Sequence, residues 1–221
     1  MFHPVRMTIK PFRSNHVLQG MLLWLVLVWI VTAINPLFPR DWLLENLLVF
    51  IYCALLAFTY RRFQFTNLSY GLFVVFLSLH LAGAHYTYAE TPFGFWLQDW
   101  FGLERNHYDR IVHFGFGLLL AFPMREILLR QSGLSRAWSY FISVNCILAF
   151  SAVYEIIEAV AAVIVSPELG AAYLGTQGDE WDAQKDAALA FAGAVVAMGV
   201  TWSLLRHRVC GSKSGEQTLN R

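Results

Sequence analysis

Six long apolar runs alternate with short polar segments along this chain. They cover about residues 17–35, 42–60, 68–88, 107–129, 138–165 and 182–205. A helix needs about 20 mostly apolar residues to cross a membrane, so each run is long enough for one crossing. Helix-breaking or charged residues end the runs, as Asn35-Pro36 and Arg61-Arg62 do. The pattern predicts an all-α polytopic membrane bundle of about six transmembrane helices.

Two of the connections between these runs are longer than the others. Residues 89–106 carry Trp96 and Trp100, and aromatic side chains of this kind favour a segment that lies along the membrane interface as an amphipathic cover. Residues 166–181 contain three glycines and no Lys or Arg. We predict that this second connection is a loop.

Composition excludes a soluble domain. Of the 221 residues, 57% are hydrophobic and only 14% are charged, whereas about 25% of the residues in soluble domains are charged. A soluble chain of this composition would leave a large apolar surface in water. The net charge of +1 predicts no nucleic-acid partner, because such a partner requires a clustered basic surface. The predicted partner is the lipid bilayer.

The basic residues predict the orientation of the bundle. Segments 6–13, 61–62, 125–136 and 206–221 together hold twelve of the sixteen Lys and Arg residues. The opposite side holds only Arg40, Arg105, Arg110 and Lys185. Since basic loops stay in the cytoplasm, both termini are predicted to be cytoplasmic. We therefore divide the chain into a cytoplasmic segment (1–16), a six-span membrane domain (17–205) and a basic cytoplasmic tail (206–221).

Ionisable residues collect toward the outer side of this predicted bundle. The fourth and sixth runs begin there, the fifth ends there, and the third brings His80 and His85 close to it. Residues three or four apart on a helix share a face. Three such pairs occur: Asp109 with His113, Glu155 with Glu158, and Asp182 with Asp186. Two carboxylates one turn apart in an apolar helix need a proton, a basic partner or a cation.

These pairs supply the candidate chemistry. Imidazole with carboxylate suits zinc, manganese or iron, and carboxylates alone suit magnesium or calcium. The same groups serve as general acid and base. The candidate catalytic residues are Asp109, His113, Glu155, Glu158 and Asp186. The candidate metal ligands are His113, Glu155, Glu158, Asp182 and Asp186. No P-loop, GxSxG or HExxH pattern is present, so the reaction and the identity of a divalent metal cofactor stay open.

Each of these residues also has a structural interpretation. Acids in the first turn of a helix, such as Asp109 and Asp182, are favoured by the helix dipole. His80 fits a polar packing group that bonds to a neighbouring helix. Gly115 and Gly117 fit close helix packing.

Three stretches resemble an uncharacterised family of bacterial inner-membrane proteins that includes YjdF. They are HYDRIVHFGFG (107–117), AVYEIIEA (152–159) and GDEWDAQKDAALAFAG (178–193). The resemblance covers essentially the whole chain, with the three stretches in consistent order and spacing. It implies a multi-pass protein of the inner membrane and brings no catalytic assignment.

A weaker similarity is to VanZ-like membrane proteins. Asp109 with His113-Phe114, then Glu155, then Asp186 with Gly193 follow the order of the VanZ-like pattern. Two positions differ from it: Ala190 stands where Asn is expected, and Glu158 where Gln is expected. This similarity implies a role in the cell envelope.

The sequence leaves three functions open. The first is a membrane enzyme or metal-dependent envelope factor that acts at the outer leaflet on a lipid or a lipid-linked substrate. The second is a small proton- or cation-coupled transporter that uses the same groups. The third is a structural or assembly protein whose buried polar groups only fix helix registry. The sequence does not decide the substrate or the oligomeric state.

Overall fold

The computed structural model describes residues 10–164 and 176–218, with side chains described as far as Arg206. A short 3₁₀ turn, Phe12–Ser14, precedes seven α-helices in this part of the chain. They are α1 (His16–Thr32), α2 (Pro39–Thr59), α3 (Asn67–His85), α4 (Pro92–Phe101), α5 (Tyr108–Gln131), α6 (Arg136–Ile164) and α7 (Asp182–Thr218). The described residues form no strand. The predicted all-α membrane bundle is confirmed.

Five helices are long and apolar enough to span a membrane: α2, α3, α5, α6 and the part of α7 up to Arg206. The remaining predicted span, α1, is shorter, with 17 residues, or about 26 Å at 1.5 Å per residue. The predicted run continued to residue 35. The helix ends sooner because Asn35 takes a left-handed backbone conformation, φ 51°, just before Pro36.

The first long connection contains α4, which begins at Pro92 in a helix-initiating position and ends at Phe101, where Gly102 caps it in the left-handed conformation. Trp96, Trp100 and Phe101 are exposed on it. The helix and its exposed aromatic side chains agree with an interfacial cover, and its position at the membrane interface stays a prediction. Of the second long connection, residues 166–175 lie outside the described residues, as do segment 1–9 and the side chains of the basic tail beyond Arg206.

Helix α5 lies at the centre of the bundle and packs against α3, α6 and α7. Its crossing with α7 is close because glycine lines both sides. A Cβ on Gly117 would overlap the carbonyl oxygen of Ala190, and one on Gly193 would overlap that of Phe114. The predicted close packing is thus confirmed at Gly117. At Gly115 a Cβ would meet only Leu79 Cδ1 at 3.6 Å, an ordinary contact.

We call the end of the bundle where α5 and α7 begin the outer end, and the opposite end the inner end. Although ionisable residues collect toward the outer end, one acid, Glu126, is buried near the inner end of α5. Its carboxylate accepts hydrogen bonds from Thr66 N at 2.9 Å, Ser69 Oγ at 2.5 Å and Arg130 Nη1 at 2.6 Å. This fully paired carboxylate ties α5 to the start of α3.

Candidate functional site

Four polar side chains from three helices meet at the outer end, and we call them the acid–histidine cluster: Asp109 and His113 of α5, Glu155 of α6 and Asp186 of α7. His113 Nε2 lies 3.6 Å from Asp109 Oδ1 and 3.3 Å from Glu155 Oε1. The close crossing of α5 with α7 brings Asp186 to the same place. Helical spacing alone puts Asp109 and His113 on one face of α5. The packing of α6 and α7 against α5 brings Glu155 and Asp186 to them.

Three members of the cluster have the arrangement of metal ligands. One ligand atom from each of Asp109, His113 and Asp186 lies within 4.8 Å of the others. Bonds of about 2.0–2.2 Å bring the ligand atoms of one transition-metal ion within about 4.4 Å of each other. Small side-chain rotations would therefore suffice to close the group around an ion. His113 and Asp186 are buried and Asp109 is half-buried.

Two oxygens of the cluster receive no hydrogen bond from the part of the chain that the structure describes. Asp186 is 1% exposed, yet no described residue donates a hydrogen bond to its Oδ1, and the same holds for Glu155 Oε1. Buried polar atoms are nearly always hydrogen-bonded in native proteins. Unpaired carboxylate oxygens that face an imidazole fit a site that takes up a cation or a proton.

A hydroxyl group fixes the ring of His113. Its Nδ1 lies 3.3 Å from Ser151 Oγ, one turn before Glu155 on α6. When Nδ1–H donates to that hydroxyl, Nε2 presents a free lone pair to Asp109 and Glu155. This is the usual way in which an outer partner orients a metal-binding imidazole.

Five charged side chains cover the cluster at its outermost edge, and we call them the ion-pair layer. Arg105 Nη1 donates to Asp182 Oδ1 at 2.6 Å. Arg110 Nη2 donates to Asp179 and lies 3.3 Å from Asp182 Oδ1. Lys185 Nζ donates to Asp179 Oδ2 at 2.6 Å. Asp182, a predicted metal ligand, thus pairs with two guanidinium groups and lies outside the group of three ligand atoms.

Asp179 and His107, both outside the spanning helices, have shifted pKa values. Hydrogen bonds from Lys185 and the Trp181 backbone N–H hold the pKa of Asp179 down at about 2. Burial and the nearby charges of Arg110 and Arg105 lower the pKa of His107. Asp179 is therefore ionised and His107 neutral at pH 7.

A second polar group lies next to the cluster and includes Glu45, which we did not predict. Glu45 is 5% exposed on α2, and its Oε2 accepts from the Tyr154 hydroxyl at 3.0 Å. His80 Nε2 donates to the Glu45 carbonyl oxygen at 3.1 Å, so its Nδ1 accepts from the Tyr88 hydroxyl at 2.6 Å. The interpretation of His80 as a packing group is confirmed. Burial raises the pKa of the Tyr88 hydroxyl, which stays protonated and able to donate.

The sequence does contain a signal for Glu45, its spacing of four residues from Asp41, but the predicted start of the second helix lies too late to include it. The predicted second run begins at residue 42, which leaves Asp41 outside it as a flanking charge. Helix α2 begins three residues earlier, at Pro39. Asp41 and Glu45 are four apart and both are buried on that helix.

Glu158, the other predicted candidate on α6, lies one turn beyond Glu155. It is half-buried, and it lies close enough to Glu45, Asp109 and Glu155 to interact with them electrostatically. The geometry brings it near the cluster but not into the group of three ligand atoms. Its role stays a prediction.

An apolar cavity of about 560 Å³ leads from the cluster into the bundle. Asp109, His113, Tyr88 and Tyr154 line its outer end, and Ile127 lies on the wall near the inner end. A polar recess of about 690 Å³ lies beside the first turn of α5 and is lined in part by the ion-pair layer. The cluster therefore lies between an apolar cavity and a polar opening.

This fold and site define a polytopic helical membrane protein with a buried polar centre at one end. A family model described as "Predicted membrane protein (DUF2238)" matches residues 17–207. "Inner membrane protein YjdF" of Escherichia coli (strain K12) is 40% identical over 192 residues, which cover 86% of this chain and 90% of that protein. No solved structure gives a significant match.

The chain belongs to the DUF2238 family of membrane proteins. The predicted resemblance to the family that includes YjdF is confirmed, and the protein is a multi-pass protein of the inner membrane. The similarity to VanZ-like proteins stays a prediction.

Proposed function

We propose that this protein is a metal-dependent membrane enzyme that hydrolyses a lipid head group or a lipid-linked precursor at the outer end of the bundle. One observation carries the proposal: ligand atoms of Asp109, His113 and Asp186 lie within 4.8 Å of one another inside the bundle. Ionisable groups within a membrane are costly and by default mark a functional site.

Each member of the cluster has a distinct role in this proposal. Asp109, His113 and Asp186 would hold a divalent cation, and such an ion would supply Lewis-acid chemistry to the scissile bond and to a bound water molecule. Glu155, 3.3 Å from His113, takes a proton from that water and returns it to the leaving oxygen. The water oxygen forms the new bond as the bond to the leaving group breaks. Glu158 is a second candidate for the proton transfer.

The ion-pair layer fits the recognition of an anionic head group. Arg110 and Lys185 border the polar recess and both bind Asp179. A phosphate can take the place of one of these carboxylate contacts, because guanidinium and ammonium groups donate to phosphate oxygens in the same way.

A carrier that uses the same residues is less well supported. A carrier requires polar access from both sides of the membrane. Toward its inner end the cavity is lined by side chains such as Leu56, Phe65 and Ile127, and among the described residues no Asp, Glu, Lys or Arg lines it there. A purely structural role fits poorly too, because carboxylates that fix registry should be hydrogen-bonded as Glu126 is.

The proposal is tested with purified protein in nanodiscs made from inner-membrane lipids. Mass spectrometry follows the loss of a lipid species and the appearance of its hydrolysis product. We expect chelation to stop turnover. Glu155→Gln should slow it at least about 100-fold, the usual contribution of a general base, while the bound metal remains. Asp99→Asn, which changes an exposed acid on α4, is the control and should behave like the parent.

Two results would overturn the enzyme proposal. One is that no lipid species changes when metal-loaded protein is incubated in the nanodiscs. The other is turnover that survives simultaneous substitution of Asp109, His113, Glu155, Glu158 and Asp186.

A further inference from the structure

The apolar cavity extends over most of the thickness of the bundle. It is bordered by α2, α3, α5 and α6. Along α5 its lining runs from Asp109 to Ile127, which corresponds to about 27 Å at 1.5 Å per residue. The hydrocarbon core of a bilayer is about 30 Å thick. The cavity is thus nearly as long as the membrane is thick.

The cavity has a wall that faces the lipid. Leu55 of α2 and Phe150, Val153 and Ile157 of α6 line it, and each is 50–56% exposed. In a membrane, that exposed surface meets hydrocarbon chains rather than water. An empty apolar cavity loses the dispersion contacts that its wall atoms would otherwise make. A lipid chain from the surrounding bilayer can enter through this exposed wall and restore them.

Among the residues that the structure describes, the acid and the histidines that line the cavity lie at its outer end. Tyr88, Asp109, His113 and Tyr154 lie at the outer end. Toward the inner end, the polar side chains among the described lining residues are Tyr52 and Thr59 of α2, and neither is charged. An occupant with one polar head and one apolar chain fits this asymmetry, with its head at the acid–histidine cluster and its chain pointing inward.

Length decides which lipid fits. An acyl chain of an ordinary phospholipid fills one leaflet, about half of the 30 Å core, and would leave the inner half of the cavity empty. We propose that the cavity binds the single chain of a polyprenyl-type lipid, longer than one leaflet, with its head group at Asp109, His113 and Glu155. This inference rests on the proposed function and assigns the substrate class of that site.

The test compares two matched pairs of substitutions. Val153 lines the cavity and Val160, seven residues later on α6, does not, although their exposures are similar at 50% and 53%. We would compare Val153→Trp with Val160→Trp. On α2, Leu55→Trp is matched by Leu47→Trp in the same way, since Leu47 is exposed to 52% and lies outside the lining. The second pair keeps the test decisive if Val153→Trp fails to fold.

Binding is measured in detergent on metal-loaded Glu155→Gln protein, which serves as the parent in this test. Turnover is suppressed there, while the bound cation still offsets the acids that would face the phosphate. The probes are a polyprenyl phosphate whose chain exceeds one leaflet, and a phosphatidic acid of ordinary chain length, which carries the same phosphate head. We expect the polyprenyl phosphate to bind the parent more tightly. A Trp that displaces two methylenes from the cavity should weaken that binding about tenfold, and neither control should change it.

The outcomes separate this inference from the proposed function. Equal binding of the two probes, or equal binding by both members of each pair, overturns the polyprenyl assignment even if the protein proves to be a metal-dependent hydrolase. Selective polyprenyl binding that each cavity variant weakens supports the assignment, even if no hydrolysis is found.

Discussion

Two buried carboxylates, one at each end of the bundle, have opposite environments. Glu126 at the inner end accepts hydrogen bonds from Thr66, Ser69 and Arg130. Asp186 at the outer end is more deeply buried, and no described residue donates to its Oδ1. The hydrogen bonds to Glu126 stabilise the fold. At the outer end, Asp186 and the neighbouring acids repel one another, and a bound cation would relieve that repulsion.

This contrast predicts opposite effects of neutralising the two acids. Glu126→Gln should lower the free energy of unfolding by about 1–3 kcal/mol, because Arg130 loses its charged partner. Asp186→Asn should leave the stability of the metal-free protein unchanged or raise it. Detergent-induced unfolding followed by circular dichroism measures both. If Asp186→Asn destabilises as much as Glu126→Gln, the outer acids serve the fold and the proposed site loses its basis.

At the residue scale, the sequence identified all four residues of the acid–histidine cluster but missed Glu45, which lies beside it. Asp109 with His113 followed from helical spacing alone, since residues four apart share a face. Helical spacing could not predict that Asp186 joins the group of three ligand atoms while Asp182 stays outside it. These two acids also share a face, and Asp182 is an ion-pair partner because Arg105, from outside the helices, and Arg110 both contact it.

At the scale of helices, the crossing of α5 with α7 holds the site together. Gly117 lies four residues after His113 on α5, and Gly193 lies seven residues after Asp186 on α7. Any increase in the distance between these helices would move His113 away from Asp186. Small residues permit this close approach, as is common between membrane helices.

We therefore expect Gly193→Ala to destabilise the protein by about 1–3 kcal/mol, the usual cost of overpacking, and to weaken metal binding. Gly199→Ala on the same helix is the matched control, because a Cβ there would meet no atom within 4 Å. Detergent-induced unfolding and a metal titration report the two effects. The account of the crossing is wrong if the two variants behave alike.

Hydrophobic runs predicted the existence of the long helices but not their ends. Local chemistry sets those ends: Pro39 begins α2 before the run becomes apolar, and the left-handed Asn35 follows the early end of α1. The aromatic side chains of residues 89–106 predict an interfacial segment, and the 10 residues of α4 are too few to span a membrane.

At the scale of the whole molecule, the basic loops predict that the ion-pair layer faces away from the cytoplasm. In a background without native cysteines, Lys185→Cys should react with a membrane-impermeant maleimide added to spheroplasts. Ser132→Cys, exposed just beyond the inner end of α5, should react only after the membrane is opened. The reverse pattern would place the acid–histidine cluster on the cytoplasmic side and contradict the predicted topology.

The metal content of the purified protein tests the central claim most directly. Inductively coupled plasma mass spectrometry would compare the parent with Asp186→Asn, and with Asp179→Asn as a control in the ion-pair layer. We predict close to one divalent metal per chain in the parent and in the control, and none in Asp186→Asn that still folds. If the parent holds no metal even after reloading with zinc, manganese or magnesium, the acid–histidine cluster is not a metal site.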